Sequence, residues 1–230
     1  MTNEAARNAA VACNVAAVNE LDDKIWGHIS VRDEDGRGVW MKRSGIGFEE
    51  VTPHDVQLVS WDGEVLHGHG KRHSEWPIHT EIMLARPDVG SVLHAHPENA
   101  TALGASGMPL RPVSHEACLF GGEISRFDEV TSLIINRDLG RKVAHSLGPD
   151  TGLLLVNHGI VTAATDYKTA TFAGITLEVA ARKQRYTVGM GGLPEWTDPD
   201  EVRLKQEQIY HPDAIDAVWD YLVRRLDPAL

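Results

Sequence analysis

The chain has 230 residues, 42% hydrophobic and 24% charged, and no Ser/Gly-rich or Pro-rich linker divides it, so a single domain over 1–230 is expected. A formal charge of -11 and a pI near 5.5 argue against nucleic acid or an anionic membrane surface as partner, because both require a basic footprint. The two cysteines, Cys13 and Cys118, form no CxxC pair, so any metal has to rest on histidine and carboxylate.

The start Met1-Thr2-Asn3-Glu4 carries no basic region ahead of an apolar core, and no apolar run is long enough to span a bilayer, so a cytoplasmic location is expected. Alanines and valines at helical spacing predict an opening amphipathic helix over 3–21, followed by an Asp22-Asp23-Lys24 loop. Residues 26–32 alternate as a strand, and Gly36 to Gly38 turns them into a second strand over 39–42, a hairpin. A glycine-punctuated loop covers 43–47. Two more short strands, 57–60 and 64–67, flank a turn at Asp62-Gly63. Ser74 is the expected N-cap of a helix through Ile78, Ile82, Met83 and Ala85, with Pro77 in its first turn.

A strand over 92–96 and a short helix over 98–105 follow. Residues 112–136 mix strand-like pieces and loops in no legible order. A helix over 138–147 stops at Gly148-Pro149, and a buried strand over 153–156 is interrupted by Asn157-His158-Gly159 before resuming at 160–162. A long helix over 166–188 starts on an acid and ends near Arg182, Lys183 and Arg185, as the helix dipole favours. Two helical patterns, 201–210 and 214–226, occupy the carboxy-terminal part from about 195. Intermixed helices and short strands imply a layered α/β fold with a largely antiparallel central sheet.

His94 and His96 sit two residues apart on the 92–96 strand, so both side chains reach the same face. A catalytic metal site typically takes three protein ligands and leaves one position open. His158, in a sharp break beside Gly159, is the best third ligand, and Glu75 at a helix start is the best carboxylate. Bland readings stand beside these. The histidines also suit core or turn positions, and Glu75 suits the helix dipole by itself. His67-Gly68-His69 has the same spacing as His94-Ala95-His96 but lies in a Gly/Lys-rich segment and reads as loop.

Taken together, Ser74-Glu75-Trp76, His94-Ala95-His96-Pro97 and Asn157-His158-Gly159 resemble, in order and spacing over roughly residues 8–190, the class II aldolase/adducin family. The resemblance implies a three-layer α/β/α sandwich with a mostly antiparallel sheet and a homotetramer with active sites at subunit interfaces. It also implies one divalent metal per subunit on His94, His96 and His158, with Glu75 as an acid/base that can also approach the metal. Zinc suits such a donor set, and manganese, cobalt or iron are compatible.

Sugar-phosphate members of that family cradle phosphate with a Ser-Gly-Asn segment, a Thr-Gly pair and a Ser-Ser pair. The corresponding segments here are Trp26-Gly27-His28, Ser44-Gly45 and His73-Ser74, with Lys42-Arg43 just before the glycine loop. This pattern looks more like the branch that decarboxylates hydroxylated aromatic or pyridine dicarboxylates. The expected function is therefore a metal-dependent decarboxylase of a small anionic substrate. Glu75 relays the proton, His28 or His73 shares or orients that step, and Lys42, Arg43, Ser44, Gly45 and Ser74 bind substrate. His115 and Tyr210 are lesser candidates that would reach a neighbouring subunit's site. The alternatives are an aldolase or epimerase acting on a sugar phosphate or small hydroxy-keto acid, and a non-catalytic adducin-like interaction module. Lys42 and Arg43 equally suit a solvated loop pair.

Overall fold

The computed structural model describes residues 3–21, 23–191 and 195–226; Met1, Thr2 and the Asp22 of the expected loop lie outside them. The opening helix α1, Glu4–Ala16, starts where the Asn3 side chain accepts the Ala5 and Ala6 N–H groups at 2.8 and 3.3 Å. Its regular part ends earlier than the alanine spacing suggests. The chain passes through a wide turn over Ala17–Leu21 in which Asn19 and Glu20 leave helical geometry.

Strands β1 (His28–Arg32), β2 (Gly38–Lys42), β3 (Val56–Ser60) and β4 (Val65–His67) form an antiparallel meander. Helix α2 (Trp76–Ala85) leads to β5 (Ser91–Ala95), which pairs with β1, so the meander joins the second half of the sheet there. After α3 (Glu98–Ser106), the stretch that sequence left unordered holds a short helix α4 (His115–Cys118) and strand β6 (Ser125–Phe127). Then come α5 (Arg137–Leu147), β7 (Gly152–Leu155), β8 (Gly159–Ala164) and the long α6 (Tyr167–Gly189). Helices α7 (Pro199–Ile209) and α8 (Pro212–Arg224) close the described chain. The sheet runs β4-β3-β2-β1-β5-β8-β7-β6, antiparallel throughout except for the β6–β7 pair.

Period-two alternation sorts the strand residues onto two apolar faces. Ile29, Trp40, Leu93, Ala95, Leu154 and Ile160 pack with α1, α3 and α6, whereas Val39, Met41, Val92, Leu153, Leu155 and Val161 pack with α2 and α5. The result is the three-layer arrangement expected from the family resemblance. Such burial stabilises substantially: truncating fully buried Leu93 to Ala would cost about 2–5 kcal/mol. His94 has the parity of Val92, so it faces the α2 side of the sheet from inside the packed layer. No helix among the described residues is long and apolar enough to cross a membrane.

Candidate metal centre and active site

Glu75 immediately precedes α2 and takes the N-cap position that the sequence reading assigns to Ser74. The Glu75 side chain does not cap its own helix. Its Oε1 accepts the Ile134 N–H at 2.7 Å, which turns the carboxylate away from the helix end and toward the sheet. Ser74 itself is exposed. Burial pushes the Glu75 carboxyl up, but His158, His94 and the Ile134 N–H outweigh it, and the group is held well below the usual carboxylate range.

On β5, His94 lies opposite His28 of β1 and Val161 of β8. Its Nδ1 stands 2.9 Å from the Ile160 carbonyl oxygen; a carbonyl only accepts, so the hydrogen is on Nδ1 and Nε2 keeps its lone pair. Burial, against the pull of Glu75, pushes the ring below its ordinary value, and it stays neutral. His94 Nε2 then faces Glu75 Oε2 at 3.6 Å, and His158 Nε2 faces Glu75 Oε1 at 3.6 Å. Both nitrogens are buried and have no hydrogen-bond partner.

His96 follows the end of β5, where Pro97 begins the turn into α3. Buried Glu178 of α6 accepts the Asn99 and Ala100 N–H groups at 3.1 and 2.8 Å, tying down that turn. His96 Nδ1 bonds Asp23 Oδ2, whose partner oxygen Oδ1 accepts the Gly27 N–H at 2.7 Å. Burial pushes Asp23 up, yet His96 and the Gly27 N–H bring it below its ordinary value. The ionised Asp23 therefore orients the ring and leaves Nε2 as the ligand nitrogen, a familiar arrangement for metal-binding histidine.

His158 is presented by the turn between β7 and β8, in which Asn157 adopts φ 57 and His158 N–H bonds the Leu155 carbonyl at 3.0 Å. Gly159 is needed at the next position. A Cβ there would come within 2.5 Å of the Ala95 carbonyl oxygen and 2.7 Å of His96 Cδ2, so only glycine lets β8 approach β5 beside the site.

One ligand atom from each of Glu75, His94, His96 and His158 lies within 4.8 Å of the others. Lone pairs facing a carboxylate repel unless something positive lies between them, and a divalent cation satisfies all four donors where a proton satisfies one. These residues fit a divalent metal. His67 and His69, the pair with the same spacing, take no part: they line a separate cleft with Trp40 and His54.

Beside the cluster lies a buried imidazole wall. His28 Nδ1 is 2.6 Å from His79 Nε2, and His79 Nδ1 is 2.7 Å from Ser30 Oγ. The His28 ring is 4.4 Å from that of His73 and 5.0 Å from that of His94, centroid to centroid. Burial first, then neighbouring His73, His79, His94 and Lys42, pushes His28 well below its usual range. His73 falls to about 3 through burial and the Lys42 ammonium, and His79 to about 3 through burial and His94.

Lys42 is fully buried, not a solvated loop charge. Its ammonium donates to the Ile25 and Gly27 carbonyls at 3.1 and 2.8 Å and faces His73 Nε2 at 3.4 Å. Three acceptors occupy its three N–H bonds, so it pins the start of β1 and the His73 ring. Burial pushes its pKa down. Arg43 is half-buried and bonds Asp55 Oδ1 through Nε at 2.9 Å. Ser44 N–H bonds the Lys71 carbonyl at 2.8 Å, and Gly45 takes φ 90 in the same loop.

His115 and Tyr210 are brought together, but elsewhere: the Tyr210 hydroxyl donates to the His115 carbonyl at 2.8 Å. Among the described residues no printed bond or ring contact links either to the histidine cluster. Sequence reading missed Asp23 and His79. The spacing of His79 from Glu75, one helical turn along α2, is a signal that was available; nothing local marks Asp23.

Residues 7–185 match the profile of the Class II Aldolase and Adducin N-terminal domain. The chain is 31% identical to a 3,4-dihydroxyphthalate decarboxylase of Arthrobacter keyseri, over 89% of this chain and 88% of that protein. It is 30% identical to the decarboxylase NovR of Streptomyces niveus, over 88% and 76%. Among solved structures, an L-fuculose 1-phosphate aldolase from Glaciozyma antarctica PI12 superposes with a TM-score of 0.85 at 24% identity, over 96% of this chain and 88% of that one. With its profile matched across most of the chain and its fold shared, the protein belongs to the class II aldolase and adducin family.

Proposed function

We propose that the protein is a divalent-metal-dependent carbon–carbon lyase, a decarboxylase of a hydroxylated aromatic carboxylate of the dihydroxyphthalate or hydroxypyridine-dicarboxylate type. The observation that carries the reading is the pair of buried, unpartnered nitrogens, His94 Nε2 and His158 Nε2, each 3.6 Å from an oxygen of Glu75. Likeness to a 3,4-dihydroxyphthalate decarboxylase and to NovR supports decarboxylation.

His94, His96 and His158 would hold the metal, with Glu75 close enough to join them. Zinc is the first candidate, with manganese, cobalt or iron as the others. When bound, the cation supplies Lewis-acid stabilisation of the negative charge that develops as the carbon–carbon bond breaks.

Glu75, an ionised carboxylate, accepts the proton of the substrate hydroxyl and delivers it to the ring carbon as carbon dioxide leaves. A solvent proton then restores the hydroxyl. The Arg43 guanidinium, with only Nε committed to Asp55, holds the second carboxylate, with Ser44, Gly45 and Ser74 beside it. Lys42 contributes positive field to an anionic substrate while its N–H bonds stay on the protein. His28 and His73 share in orienting the reacting groups. The protein acts in the cytoplasm as a homotetramer in which His115 and Tyr210 complete a neighbour's site.

Incubation of metal-loaded protein with 3,4-dihydroxyphthalate and with a ketose 1-phosphate, measuring carbon dioxide and aldehyde, tests the reading. Carbon dioxide from the acid supports it; aldehyde from the ketose phosphate alone makes the protein an aldolase. Purified protein that binds no divalent metal would be the adducin-like module instead.

A further inference from the structure

We propose that His79 is a positioning residue: held by Ser30 and the Val92 carbonyl, it fixes His28 in the Nδ1–H tautomer and so presents His28 Nε2 as acceptor for a hydroxyl hydrogen of the substrate. The inference rests on the lyase reading for the identity of that hydroxyl and on geometry for the rest.

His79 projects from α2 between β1 and β5, with its Nε2 on His28 Nδ1 at 2.6 Å and its Nδ1 on Ser30 Oγ at 2.7 Å. The ring also hydrogen-bonds the carbonyl of Val92, the residue opposite Ser30 in the β1–β5 ladder. Because Nε2 is turned to His28, the nitrogen on the Ser30 and Val92 side is Nδ1. A serine oxygen can give or take a hydrogen, but a carbonyl only accepts, so the Val92 contact places the His79 hydrogen on Nδ1. His79 Nε2 is then a bare lone pair and must accept from His28 Nδ1–H. The chain of donors ends at His28 Nε2, which is buried and has no partner. A stranded acceptor of this kind costs roughly 1–3 kcal/mol, which an arriving donor recovers. His28 sits directly across the ladder from His94, on the same face as the metal cluster, so the donor to be met there is a hydroxyl of the bound ring.

The test reads the tautomer and the turnover separately. Long-range proton–nitrogen NMR of the imidazoles in 15N-labelled, zinc-loaded protein reports which nitrogen of His28 carries hydrogen, the His28 signals being identified by their loss in His28→Gln. Hydrogen on Nδ1 is expected. His79→Ala should scramble that tautomer and lower kcat on 3,4-dihydroxyphthalate by about 100-fold with KM little changed. In His79→Gln, whose amide oxygen can still accept from His28, tautomer and most of kcat should return. Hydrogen on Nε2 in the unaltered protein overturns the proposal, as does a folded His79→Ala with the tautomer unchanged. If His79→Ala does not fold, the unaltered protein and His79→Gln decide. A protein with the expected tautomer but no turnover of any hydroxylated aromatic acid overturns the lyase reading, and the substrate half of this inference with it.

Discussion

Glu75 Oε2 and His94 Nε2 face each other at 3.6 Å, both side chains buried, with the His94 hydrogen committed to the Ile160 carbonyl on the far side of the ring. A carboxylate and an imidazole lone pair in that relationship are unfavourable out of water unless a cation joins them. The polypeptide is therefore built around a charge that its own residues do not provide.

Replacing Asp23 by Asn tests how the metal ligands are held. The carboxylate fixes His96 through Nδ1, so the amide should weaken divalent-metal affinity by about 10–100-fold with the fold intact. Chelator-competition titration measures it, and unchanged affinity would show that Asp23 does not orient His96.

Glu75→Gln keeps the acceptor for Ile134 N–H but removes the group that carries the proton. Decarboxylation should fall by about 10²–10⁴-fold. Thermal melting should scarcely move. Activity within a few-fold of the parent would remove Glu75 from the proton path.

Gly159→Ala should disturb the site through packing alone. The added methyl would press on the Ala95 carbonyl and the edge of the His96 ring. Overpacking of this kind costs about 1–3 kcal/mol. The expected result is a lowered melting temperature together with weaker metal binding; a loss of stability with metal affinity untouched would separate Gly159 from the site.

Acid stability should depend on His79. Burial, with the charge of His94 next, holds its folded pKa at about 3, below the value near 6.5 that the unfolded chain takes. Between those values the unfolded state binds the extra proton, so unfolding free energy rises with pH across the window and is lost as pH falls through it, by up to about 1.4 kcal/mol per pH unit. Urea melts of the parent and His79→Gln from pH 7 to pH 4 should show the smaller slope in the variant. Equal slopes would mean that another group carries the proton uptake.

By itself, the sequence determined the periodic elements and the metal ligands. Apolar alternation located β1, β2, β5 and β7, and the caps Asn3 and Asp166 marked real helix starts, because these signals are local and repeat along the chain. His94 and His96 were legible because period two forces them onto one face, and the family motifs added Glu75 and His158. Residues 112–136 were not legible: β6 is only Ser125–Phe127 and owes its existence to its parallel partner β7. Tertiary structure alone decided which nitrogen of each histidine stays bare, since the partners that set it are distant in sequence: Ile160 for His94, Asp23 for His96 and His79 for His28. It also decided that the Lys42 ammonium is buried among backbone carbonyls, where sequence pattern had offered either a solvated charge or a ligand contact. Hydrogen bonding across strands, which a linear pattern does not encode, is the physical reason for both.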